Sequence, residues 1–311
     1  MHRIHCSIRG RAVVFTKQAV AAAVVSAVLI APAVAQQLTG TLKKIKDSGS
    51  ITLGVRESSV PFSYYDNQQQ FIGYGRDFAQ LVVDDLKKEL SLPNLKVNEI
   101  PITSQNRITL LGNGTVDLEC GSTTNNTERS KQVAFADNYF VIAMRMMVHK
   151  DSGIKDWPDL GGKTVVTGAG TTDERAIQKL NQDQKMNLKI ISANEHSESF
   201  LLLQSGRAVA FVMDDILLYG DRMTARRPSD WIVVGTPLAK DAYACMLRKD
   251  DPQFEKFVNA VLVRAMASGE AARLYKKWFQ SPIPPKGLNL DFPISPDLAA
   301  FFKNPNNTPY Q

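Results

Sequence analysis

The chain has 311 residues and a formal charge of +6, from 37 Lys and Arg against 31 Asp and Glu. Apolar residues make up 44% and charged residues 22%, which excludes a disordered or fibrous protein and suits about two globular domains. Four of the cations (Arg3, Arg9, Arg11, Lys17) precede the first long apolar run; without them 33 cations face 31 acids, too even a balance for a nucleic-acid binder.

No acid occurs before Asp47, and residues 19–35 form an uncharged, Ala-rich run ending in Ala33-Val34-Ala35 before Gln36. A basic start, an apolar stretch and a small-x-small end predict a secretory signal peptide, residues 1–35, cleaved after Ala35. The run is short for a membrane span and is broken by Pro32. No Cys follows it, so a lipid anchor is not indicated. The mature protein is expected to be soluble and exported, and Cys6 leaves with the leader. Cys120 and Cys245 remain, and in an oxidising compartment they are expected to pair, against the alternative of two buried free thiols. His149 and His196 sit in no Cys/His cluster, so no metal site is expected.

Residues 51–56 read as a strand, after a short helix stopped by Gly49. Residues 77–90 carry Phe78, Leu81, Val82, Leu86 and Leu90 at helical spacing. Residues 95–102 alternate as a strand. Ser104 is read as the cap of a short helix with Ile108 and Leu111, ended by Gly112 and Gly114, before a strand at 116–121. This βαβαβ order predicts a mainly parallel sheet with helices on its faces, an α/β fold. A second unit follows: strand 163–170, helix 173–180, strand 188–192, helix 197–205 and a buried strand 208–213 that runs into Asp214-Asp215. Extended segments near 140–149 and 232–239 join the two units. The tail, helical over 254–274, is expected to pack on the first unit. The division is therefore lobe 1 at 36–139 and 240–311, lobe 2 at 140–239, with two crossings and a cleft between.

Gly162-Lys163-Thr164 ends like a phosphate-binding loop, but Trp157 stands where the first glycine is required. Gly168-Ala169-Gly170 starts a dinucleotide fingerprint whose last position is Asp173 instead of glycine. No nucleotide cofactor is expected, and no cofactor of another kind is indicated. Other residues break local rules. Arg107 puts a cation in the first turn of a helix, where the dipole disfavours it; it is either a solvated surface residue or half of an anion site. Arg129 has a similar setting after Thr127-Glu128, and Arg56 ends the first strand, where an open α/β sheet places ligands. Ser122-Thr123-Thr124 and Thr171-Thr172 offer donors at strand-to-helix turns, or turn chemistry alone. Asp214 closes an apolar strand and needs a cationic partner, from the protein or from a ligand ammonium. His196 begins a helix. The set suits a small ligand with carboxylates and an ammonium group. No nucleophile, base and orienting acid occur with supporting motifs, so catalysis is not indicated.

Residues 57–69 (ESSVPFSYYDNQQ), 101–108 (PITSQNRI), 119–126 (ECGSTTNN), 206–215 (GRAVAFVMDD), 245–254 (CMLRKDDPQF) and 282–286 (PIPPK) strongly resemble the periplasmic glutamate/aspartate-binding proteins. These are the solute receptors of ABC amino-acid importers, solute-binding protein family 3. The resemblance runs from about residue 40 to 305. It implies a two-lobed type II periplasmic-binding-protein fold. Arg56, Ser104 and Arg107 would hold the ligand's side-chain carboxylate, with His196 reaching it. Arg129, Ser122 and Thr124 would hold the α-carboxylate, Thr172 would add a second-lobe contact, and Asp214 would accept from the α-ammonium. The long basic leader and the segment around 167–175 depart from the family pattern. The resemblance further implies L-glutamate or L-aspartate as ligand, an inner-membrane ABC permease with its ATPase as partner, and a monomer. The alternative is a dehydratase-like enzyme on the same fold, with Glu119 or Glu57 as its acid; a third reading, a sensor ectodomain, is opposed by the lack of any apolar span after residue 35.

Overall fold

The computed structural model describes residues 1–2, 4–7, 9–12 and 37–309. The apolar run of the expected signal peptide and its cleavage point lie outside the described residues. The chain divides into two compact units, Met1–Gln37 and Leu38–Gln311. The described residues of the first carry no helix or strand. Among the described residues no helix is long and apolar enough to cross a membrane.

The second unit opens with α1 (Gly40–Ser48), ended by Gly49, and β1 (Ser50–Val55). A small antiparallel sheet follows: β2 (Ser58–Ser59), β3 (Ser63–Tyr65) and β4 (Phe71–Ile72). Then come α2 (Tyr74–Glu89), β5 (Lys96–Pro101), α3 (Arg107–Gly112) and β6 (Leu118–Glu119). β5 and β6 flank β1 in parallel, with Leu53 opposite Leu118.

β7 (Val133–His149) is 17 residues long and joins two sets of neighbours. β8 (Thr164–Gly168), α4 (Thr172–Asp183), β9 (Lys189–Ala193), α5 (His196–Gln204), β10 (Ala210–Asp214), α6 (Asp215–Thr224) and β11 (Trp231–Val234) form the second region. β8 lies parallel to β9 and β10, while β10 and β11 run antiparallel to the second half of β7. β12 (Lys240–Arg248) returns antiparallel to the first half of β7 and to β6. The order is therefore β5-β1-β6-β12-β7-β10-β8-β9, with β11 also on β7. Each region has a parallel core of three strands, as the alternation of β-rich and helical runs predicts.

The tail forms α7 (Pro252–Ala267), α8 (Glu270–Phe279) and α9 (Pro296–Lys303). Gly269, at φ +84°, splits the single helix expected over 254–274, a backbone angle that glycine adopts without strain. α7 packs on α1, α2 and β7, so the tail covers the first region as expected. The aromatic core fixes the 58–62 loop that borders the site. Phe62 meets Phe140 of β7 at 4.9 Å and Tyr243 of β12 at 5.1 Å, edge to face.

Two local expectations fail. The strand at 116–121 pairs only at Leu118 and Glu119. Asp117 spends its buried carboxylate on the Thr52 N–H (2.9 Å) and Lys44 Nζ (2.6 Å), and beyond Cys120 the chain turns towards the site. Ser104 caps no helix. α3 begins at Arg107, and the turn before it is closed reciprocally by Thr103 and Asn106. Cys120 and Cys245 form the expected disulfide, with Cα atoms 4.2 Å apart across 125 residues.

Candidate functional site

The carboxyl ends of β1, β5, β6 and β10 and the first turns of α3, α4 and α5 converge on one polar crevice. Ser104, Arg107, Ser122, Thr124, Thr172, His196 and Asp214 line it, together with Thr171, Asp173, Met213 and Leu217. Arg56 and Arg129 stand directly behind the lining. Arg56 donates from Nη1 to Ser104 Oγ (3.0 Å), and Arg129 from Nη1 to the Thr124 carbonyl (3.0 Å). All nine residues singled out by sequence thus come together. Eight are buried and Thr172 is half-buried. The surface reading of Arg107 is wrong: it is 2% exposed, as is His196 at the start of α5.

Of the three buried arginines, Arg56 has a direct ion pair, while Arg107 and Arg129 hydrogen-bond neutral groups. Arg107 donates from Nη1 to Thr123 Oγ1 and to the Ser122 carbonyl (3.3 Å), and the Thr123 hydroxyl in turn donates to Glu119 Oε2 (2.9 Å). Burial and the neighbouring Arg129 charge bring the Arg107 pKa down to about 9, so it stays cationic at neutral pH. Burial pushes Glu119 up, opposed by Arg107. Arg56 Nη2 meets Glu195 (3.2 Å). Arg129 Nη2 reaches the Gly170 carbonyl (3.4 Å). Burial, then Arg175, lowers its pKa, while Asp214 and Asp173 oppose that.

Asp214 accepts from the Tyr243 hydroxyl, and burial followed by the Asp173 charge raises it well above the usual carboxylate range. Asp173 is itself pushed up to about 7, by burial first. His196 Nδ1 lies 3.3 Å from Ser59 Oγ. Burial, with Arg56 and Arg107 nearby, lowers its pKa well below the imidazole range, so the ring is neutral. In the tautomer whose Nδ1 accepts from Ser59, Nε2 is a donor. Among the described residues, the buried Ser122 hydroxyl and the Nε atoms of Arg56 and Arg107 have no hydrogen-bond partner. The crevice therefore offers donors to an anion at several points and acceptors to a cation at Asp173 and Asp214.

Sequence reasoning missed three contributors, Glu195, Asp173 and Tyr243, which act through partners far along the chain. Of the two acids considered for an enzyme, Glu57 is exposed and Glu119 lies beneath Arg107 and Thr123, outside the lining.

Residues 51–281 match the bacterial extracellular solute-binding proteins, family 3. The glutamate/aspartate import solute-binding protein of Salmonella typhimurium is 55% identical over 267 residues, 86% of this chain and 88% of that protein. The L-glutamate/L-aspartate-binding protein of Pseudomonas aeruginosa is 54% identical over 286 residues, 92% of this chain and 95% of that protein. Among solved structures, a mutant of ArgBP from T. maritima superposes with a TM-score of 0.69 at 28% identity, covering 78% of this chain and 100% of that one. The ancestral amino acid-binding protein AncCDT-1, a precursor of cyclohexadienyl dehydratase, superposes with a TM-score of 0.67 at 28% identity, covering 77% and 99%.

Proposed function

The chain belongs to the bacterial extracellular solute-binding proteins of family 3, and on that premise we propose that it is a periplasmic receptor for L-glutamate and L-aspartate. It delivers them to an inner-membrane ABC permease driven by its ATPase, acts as a monomer, and performs no chemistry on its ligand. One observation carries the reading: buried arginines, hydroxyl donors and a buried acid share a single crevice. In this reading Arg56, Ser104, Arg107 and His196 take the side-chain carboxylate, Arg129, Ser122, Thr124 and Thr172 take the α-carboxylate, and Asp214 takes the α-ammonium. Bidentate guanidinium contacts fix each carboxylate in orientation. The two sheet regions are the lobes, and they close by a hinge in β7 and in residues 235–239.

An amide in place of the side-chain carboxylate leaves buried donors facing an NH₂ group. Isothermal titration should therefore find glutamine and asparagine at least about a hundredfold weaker than their acids, a penalty of roughly 3 kcal/mol. Comparable affinities for glutamate and glutamine would overturn the assignment. Arg129→Ala should abolish measurable binding while the circular dichroism spectrum stays that of the parent; retained binding would mean that the α-carboxylate lies elsewhere.

A further inference from the structure

Residues 195–197 make a set of contacts that the binding role does not require. Glu195 is the residue before α5, the position where a side chain ordinarily satisfies the helix's own free N–H groups. Its carboxylate caps nothing in α5. It reaches into the other region, to Arg56 Nη2 (3.2 Å) and Ser58 Oγ (2.8 Å). The exchange runs both ways: Ser58 Oγ lies 3.4 Å from the Ser197 N–H, an N–H of the first turn of α5. Ser59 and His196 form a further contact beside it. The first region thus supplies the cap of α5, and the start of α5 supplies the counter-charge of Arg56, whose side chain is 1% exposed.

We propose that Glu195 and Ser58 form a reciprocal latch that holds the two regions together and sets how long a ligand stays in the crevice. This rests on the receptor reading for the ligand, but not for the latch. When the regions separate, one helix loses its cap and one arginine loses its paired carboxylate; both losses are borne by the open form. The contact has to break for a ligand to leave, and in the ligand-free protein it holds only part of the population closed, so escape is slowed far more than encounter. Glu195 touches Arg56 on a different nitrogen from the one that donates to Ser104, so latch and ligand contacts coexist on one guanidinium.

Stopped-flow measurement of L-glutamate binding, monitored by tryptophan fluorescence, separates the two rates. Glu195→Gln should release ligand about tenfold faster or more, Ser58→Ala a few-fold faster, and both should associate within about threefold of the parent. In the double variant the effects should fall short of additive, because the two residues share one contact. Hydrogen exchange of residues 194–199 without ligand should rise in both variants. An unchanged release rate, or tighter binding by Glu195→Gln, would overturn the latch; the latter would make Glu195 a rival of the ligand carboxylate. If Glu195→Gln does not fold, Ser58→Ala decides on the same readouts. A parent protein that binds no acidic amino acid sinks the receptor reading, and the ligand-free exchange arm still decides the latch.

Discussion

Asp173 and Asp214 are two carboxyls in one buried neighbourhood, with Asp241 close enough to add repulsion and Arg129 to oppose it. Burial dominates both, and it holds Asp173 near pH 7, far above an ordinary carboxyl. A raised carboxyl pKa makes the folded state bind a proton that the unfolded chain has already lost. Folding is therefore penalised at pH 8, where Asp173 is charged. The penalty shrinks as pH falls through 7 and vanishes near pH 4, where both states are protonated. Asp173→Asn has no such charge to bury. It should raise the melting temperature at pH 8 by about 5 °C, on the order of 2 kcal/mol, and by progressively less towards pH 5. Differential scanning calorimetry at both pH values tests this, and an equal gain at the two would show that the charge is not the cause. Tyr243 and Asp173 escaped sequence reasoning for the same reason: neither breaks a local rule, and each acquires its role only when β12 and α4 are brought to the end of β10. Arg107 was legible because a cation at a helix start contradicts the local dipole.

At the scale of elements, periodicity carried most of the fold. The two βαβαβ runs, the tail helices and the long extended crossing at β7 follow from apolar spacing and glycine stops. What spacing could not show is which polar side chain serves which element. Ser104 has the chemistry of a cap, yet the turn before α3 is closed by Thr103 and Asn106, and Ser104 is freed to accept from Arg56. β6 is shorter than its apolar run because Asp117 is committed to Thr52 and Lys44. The disulfide joins the end of this short strand to the middle of β12, so it staples the elements that carry Ser122 and Tyr243. Closing a loop across 125 residues removes unfolded-state entropy worth roughly 4–5 kcal/mol in the chain-entropy account. Reduction, or the Cys120→Ser/Cys245→Ser pair, should lower the melting temperature by about 10 °C. A shift under about 2 °C would mean that β6 and β12 hold without the bond.

At the scale of the whole molecule, the segment after α9 ties the tail to the base of the site. Asn125 and Asn138 are fully buried, and their amides bond each other at 3.0 Å. Asn125 also donates to the Asn307 carbonyl (2.8 Å), Asn138 to the Thr308 carbonyl (2.9 Å), and Asn307 returns a bond to the Phe135 carbonyl (3.2 Å). The backbone N–H of Asn138 is taken by the Asn306 carbonyl (2.9 Å). Lys240, at the return crossing, forms an ion pair with Asp297 of α9. The tail thus grips β7 and β12 next to the place where each passes between the two regions, and Asn125 follows Thr124 of the crevice directly. Removing residues 304–311 would leave buried amides without acceptors, each costing about 1–3 kcal/mol where water cannot replace the partner. The truncated protein should melt several degrees lower. Its affinity for L-glutamate should fall through loosening of β7 at Asn138, although no removed residue lines the crevice. Calorimetric melting and titration of the same sample check both effects. Loss of stability with unchanged affinity would show that the tail supports the first region without reaching the site.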